Sequence, residues 1–365
     1  METREYMLGL QLIPGLGPVT HRKLLEAFGS HEDIFSASEQ QLSQVENIGA
    51  QRAHVIKNFN VSEAVDRERA RMSKNGIHFV TIFDPEYPEF LKTIFDAPSV
   101  LFCKGEWRAH DNFSISLVGS RKASLYGMGV AFQLAKDFSD RGITVVSGMA
   151  RGIDTMAHKG ALMAKGRTVA VLGSGLDVIY PPENKKLMSA ISQHGAVFSE
   201  FPFGTKPFRQ NFPMRNRIIA GLSLGTVVIE AGAKSGALIT AYQALEQGKE
   251  VFAVPGNISS PTSKGTNYLI KQGAKLVENI DDIIEELKPK LEPLNNFSLP
   301  NREKKEMIFS DDGKMILQHL SYDPQHIDSL VHKSGIPVNR ISAALLELEM
   351  GEKIKQLPGK MFVKI

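Results

Sequence analysis

The stretch Ile143-Thr144-Val145-Val146-Ser147-Gly148, then IDTMAHKGALMAKG (153–166), then TVAVLG (168–173), reads as strand, helix and strand in succession. The two outer runs are short, apolar and β-branched, and the segment between them closes on Gly166, where a helix C-terminal glycine belongs. The same alternation continues outward on both sides. ISLVGS (115–120) precedes it, and AVFSEF (196–201), GTVVIEA (225–231) and EVFAVPG (250–256) follow. Between them lie LYGMGVAFQLAKDFSDRG (125–142), PENKKLMSAISQHG (182–195), RNRIIAGLS (215–223) and SGALITAYQALEQG (235–248), with Gly142, Gly195 and Gly248 as further helix ends. Apolar strands alternating with helices predict a parallel, doubly wound α/β sheet over about 113–280. Two more candidate strands, 78–83 and 99–102, fall in the segment that leads into it, and pattern alone leaves their place open.

With 365 residues, 42% hydrophobic and 23% charged, the chain is long enough for two or three compact units of ~150 residues. Ordinary globular composition excludes wholesale disorder and collagen-like or coiled-coil architecture. Cys103 stands alone, which excludes an internal disulfide, a cysteine-based zinc site and an iron–sulfur cluster, and fits a reducing cytoplasm. No leader-like segment opens the chain and no apolar run approaches the ~18–20 residues of a membrane span, so a cytoplasmic protein without a membrane partner is expected. The net charge of +3 is too small to announce nucleic acid by itself, so any anion site must be a local cluster.

Residues 1–60 read as a helical domain with two similar turns. Ile13-Pro14-Gly15-Leu16-Gly17 leads into a helix with Leu24 and Leu25, and Val45-Glu46-Asn47-Ile48-Gly49 into one with Val55 and Ile56. Such helix-hairpin-helix turns can aim unsatisfied amides at a DNA phosphate, or simply turn tightly within a bundle. Residues 61–280 form the α/β unit, and 281–312, rich in Pro, Asn and charge, read as a linker. From 313 to 365, three helical stretches and a hairpin around Pro358-Gly359 predict a winged helix. Its reading helix would present Arg340 but also Glu347 and Glu349, so protein contact and DNA reading both stand.

In such a sheet the strand C-terminal ends and the following helix starts form one rim, the ligand edge of the fold. Here the strands end in Gly119-Ser120-Arg121, Ser147-Gly148, Gly173-Ser174-Gly175, Ser199-Glu200, Glu230-Ala231-Gly232 and Pro255-Gly256-Asn257. Glycine lets a ligand approach the backbone, helix-start amides favour an anion, and Arg121, Lys122, Arg151, Arg215, Arg217, Lys234 and Ser235 surround the rim, a phosphate-binding set. The alternative for Gly119-Ser120-Arg121 is a structural turn with a surface arginine. Phe212, with Asn211, Arg215, Asn216 and Arg217, is either a stacking platform for an unpaired base or a packing anchor; Phe201, Phe203 and Phe208 read as packing. Neither GxxxxGK[ST] nor a complete GxGxxG is present, so no nucleotide cofactor is expected, and no metal. Asp154 and His158 share a helical face, but no nucleophile accompanies them; a local structural role is expected, and no catalytic residue is assigned.

These residues resemble the DNA-processing protein A family, DprA/Smf. The resemblance rests on Gly119-Ser120-Arg121, SGMARGID (147–154) with Ala157-His158, Tyr180-Pro181, Ser199-Glu200, NFPMRNRIIAGLS (211–223), VVIEAGAKSGALITA (227–241), and PGN (255–257) with GTNYLIKQGA (265–274). It implies an extended Rossmann-like domain flanked by helix-hairpin-helix and winged-helix domains. It further implies a non-enzymatic homodimer that binds single-stranded DNA, protects it during natural transformation and hands it to the RecA recombinase. Carried over by motif, Gly119, Ser120 and Arg121 would hold a phosphate, and Phe212, Arg215, Asn216 and Arg217 would line the same basic pocket. Tyr268, Leu269 and Ile270 are the implied dimer contacts. A nucleotide-processing enzyme of the lysine-decarboxylase-like phosphoribohydrolase type, using Glu230, is the competing expectation, and an adaptor acting through its terminal domains is a third.

Overall fold

The computed structural model describes residues 1–291, 309–351 and 353–364. Among them, one large sheet holds β1 (His78–Thr81), β2 (Val100–Gly105), β3 (Ser114–Val118), β4 (Thr144–Ser147), β5 (Thr168–Leu172), β6 (Gly195–Ser199), β7 (Gly225–Val228), β8 (Glu250–Ala253) and β9 (Lys275–Leu276). Their order is β1-β2-β6-β5-β4-β3-β7-β8-β9. From β6 to β9 all neighbours are parallel, as the alternating pattern predicts, with Val145 facing Thr168 and Val118 facing Val228 across the ladders. The two unplaced strands become β1 and β2, an antiparallel extension beside β6 in which Cys103 faces Phe198.

Side chains alternate between the two faces of β3. Ile115 and Leu117 pack on the helices Leu125–Asp140 and Ile153–Met163, while Val118 faces Asn211–Leu222 and Gly236–Glu246. Ser114 and Ser116 share the second face. Their hydroxyls donate to the carbonyls of Leu222 and Ile219, so small side chains let that helix approach the sheet closely.

The linker expectation is corrected at its start. A helix, Ile280–Leu291, occupies this region and buries Ile280, Ile283 and Leu287 against the sheet. An i, i+3, i+7 apolar stripe was concealed among the charges of DDIIEELKPK. The remainder, 292–308, lies outside the described residues.

The N-terminal helices build their own core from Leu10, Leu24, Ile34, Leu42, Ile48, Ala53 and Ile56. Gly17 and Gly49 cap the helices Pro18–Phe28 and Ala50–Lys57, so both hairpin turns form. This unit is also docked. Met7 and Leu8 of the helix Thr3–Leu12, with Val61, Val65 and Met72 of Val61–Asn75, pack on Val100 and Phe102 of the sheet.

The winged helix combines the helices Asp311–His319, Ile327–Ser334 and Val338–Met350 with a small sheet of β10 (Gln325–His326), β11 (Ile354–Leu357) and β12 (Met361–Lys364). The charges expected on its reading helix lie at the surface, each engaged by a neighbour within the domain. Arg340 forms a bidentate pair with Asp312, Glu347 accepts from the Ser310 amide and hydroxyl, and Glu349 accepts from the Gln356 amide. Those hydrogen bonds hold the Glu347 carboxyl below its usual range.

Candidate nucleic-acid interface

From β3 the chain winds to β4 on one side, and β7 returns to its other side, so the strand order reverses there. A cleft of about 720 Å³ opens at this switch point, outside the C-terminal ends of β3 and β7. The loop Val118–Lys122, the start of the helix Gly236–Glu246 and the first turns of Asn211–Leu222 form its walls.

Gly119 has no room for a side chain, since a Cβ there would lie 2.5 Å from Ile153 and 3.0 Å from the Glu230 carbonyl. The Ser120 amide donates to that carbonyl at 2.8 Å and the Ser120 carbonyl accepts from Ile153 N, so the loop lies flat on its neighbours. Glu230 clamps it from behind. Its carboxylate accepts from the Ser124 amide (2.8 Å), the Ser124 hydroxyl (2.6 Å) and the Thr262 hydroxyl (3.0 Å). The loop therefore presents Arg121 and Lys122 outward, both exposed.

Phe212 sits half-buried in the opposite wall, tilted against Tyr180 at 5.8 Å, with the Arg121 guanidinium 4.5 Å from its ring centre. Phe203 is buried as expected, edge-on to Phe102. Phe208 differs from its expected packing role: it is 55% exposed.

Arg215 forms the cleft floor rather than its rim. It is buried and donates to the carbonyls of Gly148 and Val171, and Gly148 must be glycine because a Cβ would fall 2.4 Å from the guanidinium. Burial lowers its pKa to about 10, with the nearby Asp154 charge opposing the shift, so it remains a cation at neutral pH. Asp154 accepts from the Ala150 amide, and burial raises its carboxyl. The His158 Nδ1 meets the Thr168 hydroxyl at 2.7 Å, and that hydroxyl donates to Val145 O, so Nδ1 carries the donated proton. Burial drops His158 to about 3. Asp154 is held locally, as its spacing suggested, whereas His158 is engaged only through Nδ1 and its buried Nε2 has no hydrogen-bond partner among the described residues. Asn216 lines the cleft with its amide directed at Gly236 O.

The expectation that Arg217 shares this pocket is corrected. Its guanidinium is buried elsewhere, 2.6 Å from Glu200 and 3.0 Å from Asp96. Residues i and i+2 of a helix do not share a face, so Arg215 and Arg217 cannot both enter one cleft. Arg151 lies on the rim but outside the cleft lining, paired with Glu183 at 3.2 Å. Lys234 and Ser235 do line the cleft, and Ser235 also caps the helix Gly236–Glu246 by accepting from Ala237 N. Sequence reasoning missed Arg209, an exposed cation in the cleft wall three residues before Phe212. Its placement in PFRQNFPMRN, within reach of the same helix start, was the available signal.

Of the expected dimer contacts, Tyr268 is exposed and Ile270 half-buried, but Leu269 is 2% exposed and belongs to the core. Ile239, Tyr242 and Leu245 form a second exposed apolar stripe, on the helix Gly236–Glu246.

Fold and site together define a doubly wound α/β protein with a cation-walled cleft at its switch point, carried between a helix-hairpin-helix unit and a winged helix. Family models match the chain in the same order: a SAM-like helix-hairpin-helix tandem over 7–59, DNA recombination-mediator protein A over 78–288 and the DprA winged helix domain over 300–360. The chain belongs to the DNA recombination-mediator protein A family, DprA/Smf. It is 41% identical to Protein Smf of Escherichia coli over 288 residues, 77% of this chain and 76% of that one. The structure of DNA processing protein A from Streptococcus pneumoniae is similar at a TM-score of 0.66 and 36% identity, over 78% of this chain and 99% of that one. A structure concerned with the single-stranded DNA binding mode of the Helicobacter pylori protein aligns at 0.53 and 29%, over 58% and 97%. No described helix is long and apolar enough to cross a membrane.

Proposed function

We propose that the cleft grips the sugar-phosphate backbone of single-stranded DNA and that the chain acts as a recombination mediator, making and breaking no covalent bond. One observation carries this reading, the division of the cations. Arg121, Lys122, Arg209 and Lys234 converge on the cleft without an ion-pair partner among the described residues, whereas Arg151 and Arg217 are already neutralised by carboxylates. Unpaired cations beside close-approach glycine backbone and a half-exposed aromatic suit an unpaired strand, whose phosphates need charge and whose bases need a π-face. The H. pylori relative named for its single-stranded DNA binding mode supports the same ligand. The phosphoribohydrolase alternative needs the Glu230 carboxylate free, and both its oxygens are engaged by Ser124 and Thr262.

On this reading the protein works in the cytoplasm as a homodimer whose interface includes the exposed Tyr268 and Tyr242, delivers the strand to the RecA recombinase and serves natural transformation. Family membership supports these assignments. Fluorescence anisotropy with oligothymidine and with duplex of equal length, over a salt series, is the deciding experiment. Tighter single-strand binding that falls steeply with salt is expected; equal affinity for the two forms overturns the proposal. Release of free base from nucleoside monophosphates would overturn its non-enzymatic half.

A further inference from the structure

The segment 200–210 runs from the end of β6 to the helix Asn211–Leu222 and delivers Arg209 and Phe212 to the cleft. Such a connection is held by whatever satisfies its backbone groups. Two of its fixings come from the N-terminal helices, more than a hundred positions away in sequence. The Gln11 side-chain amide donates to the Glu200 carbonyl at 2.7 Å, and the Phe203 amide donates to a Glu68 carboxylate oxygen at 2.7 Å. Glu68 is buried, with Arg71 3.6 Å from its other oxygen. One residue further on, the Gly204 amide donates to the Asp177 carboxylate at 2.9 Å, and the Thr205 carbonyl accepts from Gly175 N. At the far end, the Asn211 side chain donates to the carbonyls of Gly173 and Lys206.

We propose that Glu68 and Gln11 are positioning residues for the cleft, through which the helices Thr3–Leu12 and Val61–Asn75 set single-strand affinity without touching the strand. This rests on the single-strand reading above. Phe203 ties the same point into the core beside Phe102, so the carboxylate of Glu68 and the ring of Phe203 fix the segment from both sides of one residue. Without the Glu68 acceptor, the buried Phe203 amide must seek water, and the segment shifts toward conformations in which Arg209 leaves the wall. Glu68→Gln keeps an oxygen at the acceptor position and should preserve the geometry.

The test is a double-mutant cycle read by oligothymidine anisotropy. Glu68→Ala should weaken binding about tenfold while Glu68→Gln stays within about twofold of the original chain. In an Arg209→Ala background the Glu68→Ala effect should shrink to less than about twofold, because the group it positions is gone. Arg121→Ala serves as the reference. If it binds normally, the cleft reading itself falls; if it loses binding while folded Glu68→Ala keeps full affinity, only the positioning proposal falls. Equal losses with and without Arg209 also overturn it, since a general weakening of the fold would act that way. Should circular dichroism find Glu68→Ala unfolded, Gln11→Ala replaces it in the same cycle, and unchanged affinity in that folded variant overturns the proposal.

Discussion

The Arg121 guanidinium carbon lies 4.5 Å from the centre of the Phe212 ring, so the loop after β3 and the first turn of the helix Asn211–Leu222 meet across the cleft through a cation–π contact. The contact holds Arg121 at the surface with its nitrogens still available to phosphate oxygens. Arg121→Ala should weaken oligothymidine binding at least about tenfold and lower the slope of log K against log salt by about 0.7, the share of one phosphate contact on a single strand. Phe212→Ala should cost about 1–3 kcal/mol of binding. Their double variant should lose less than the sum, because each removes part of the other's support.

Arg217 gives the opposite result. It stands in a buried pair with Glu200, so Arg217→Ala leaves a buried carboxylate without its cation and should destabilise the fold by roughly 3–5 kcal/mol. Urea unfolding measures that loss. At a temperature where the variant remains folded, its salt slope for oligothymidine should match that of the original chain.

His158 provides a pH test. Burial lowers its folded pKa to about 3, below the usual value of 6.5, so between these values the unfolded chain binds the extra proton and stability rises with pH. The contribution is complete above about pH 6.5 and is lost as pH falls toward 3. Buried Glu200, Asp154 and Glu68, whose carboxyls are shifted upward, act in the reverse direction, so the informative quantity is a difference between two chains. On acidification from pH 6.5 to 5, His158→Gln should lose about 1.6 kcal/mol less stability than the original chain. Urea midpoints at the two pH values check this.

The dimer assignment separates two adjacent residues. Tyr268→Asp, at an exposed position, should shift the protein toward monomer in light scattering and leave its unfolding midpoint within about 0.5 kcal/mol. Leu269→Asp instead buries a charge in the core and should prevent folding. A dimer that survives Tyr268→Asp and Tyr242→Asp together would place the interface elsewhere.

The strand–helix alternation from β3 to β8, the glycine-rich rim and the two hairpin turns were legible because each is written in neighbouring residues. Period and turn chemistry act over a few positions. β1 and β2 carried no mark of their neighbour, since an antiparallel extension at the end of a sheet is placed by docking rather than by its own pattern. The helix Ile280–Leu291 passed for linker because its charges hid three apolar residues on one face.

The cleft followed a different logic. Arg121, Arg215 and Arg217 look alike in a sequence, and each follows or precedes a turn at the rim. Their roles part only when Gly148 and Val171 close around Arg215, and Glu200 and Asp96 around Arg217, from positions far along the chain. Local periodicity was enough to specify the layers and the edge where a ligand would sit. Which charges stay free for that ligand depends on distances between remote groups, because Coulomb attraction and desolvation act through space, and those distances exist only once the chain has folded.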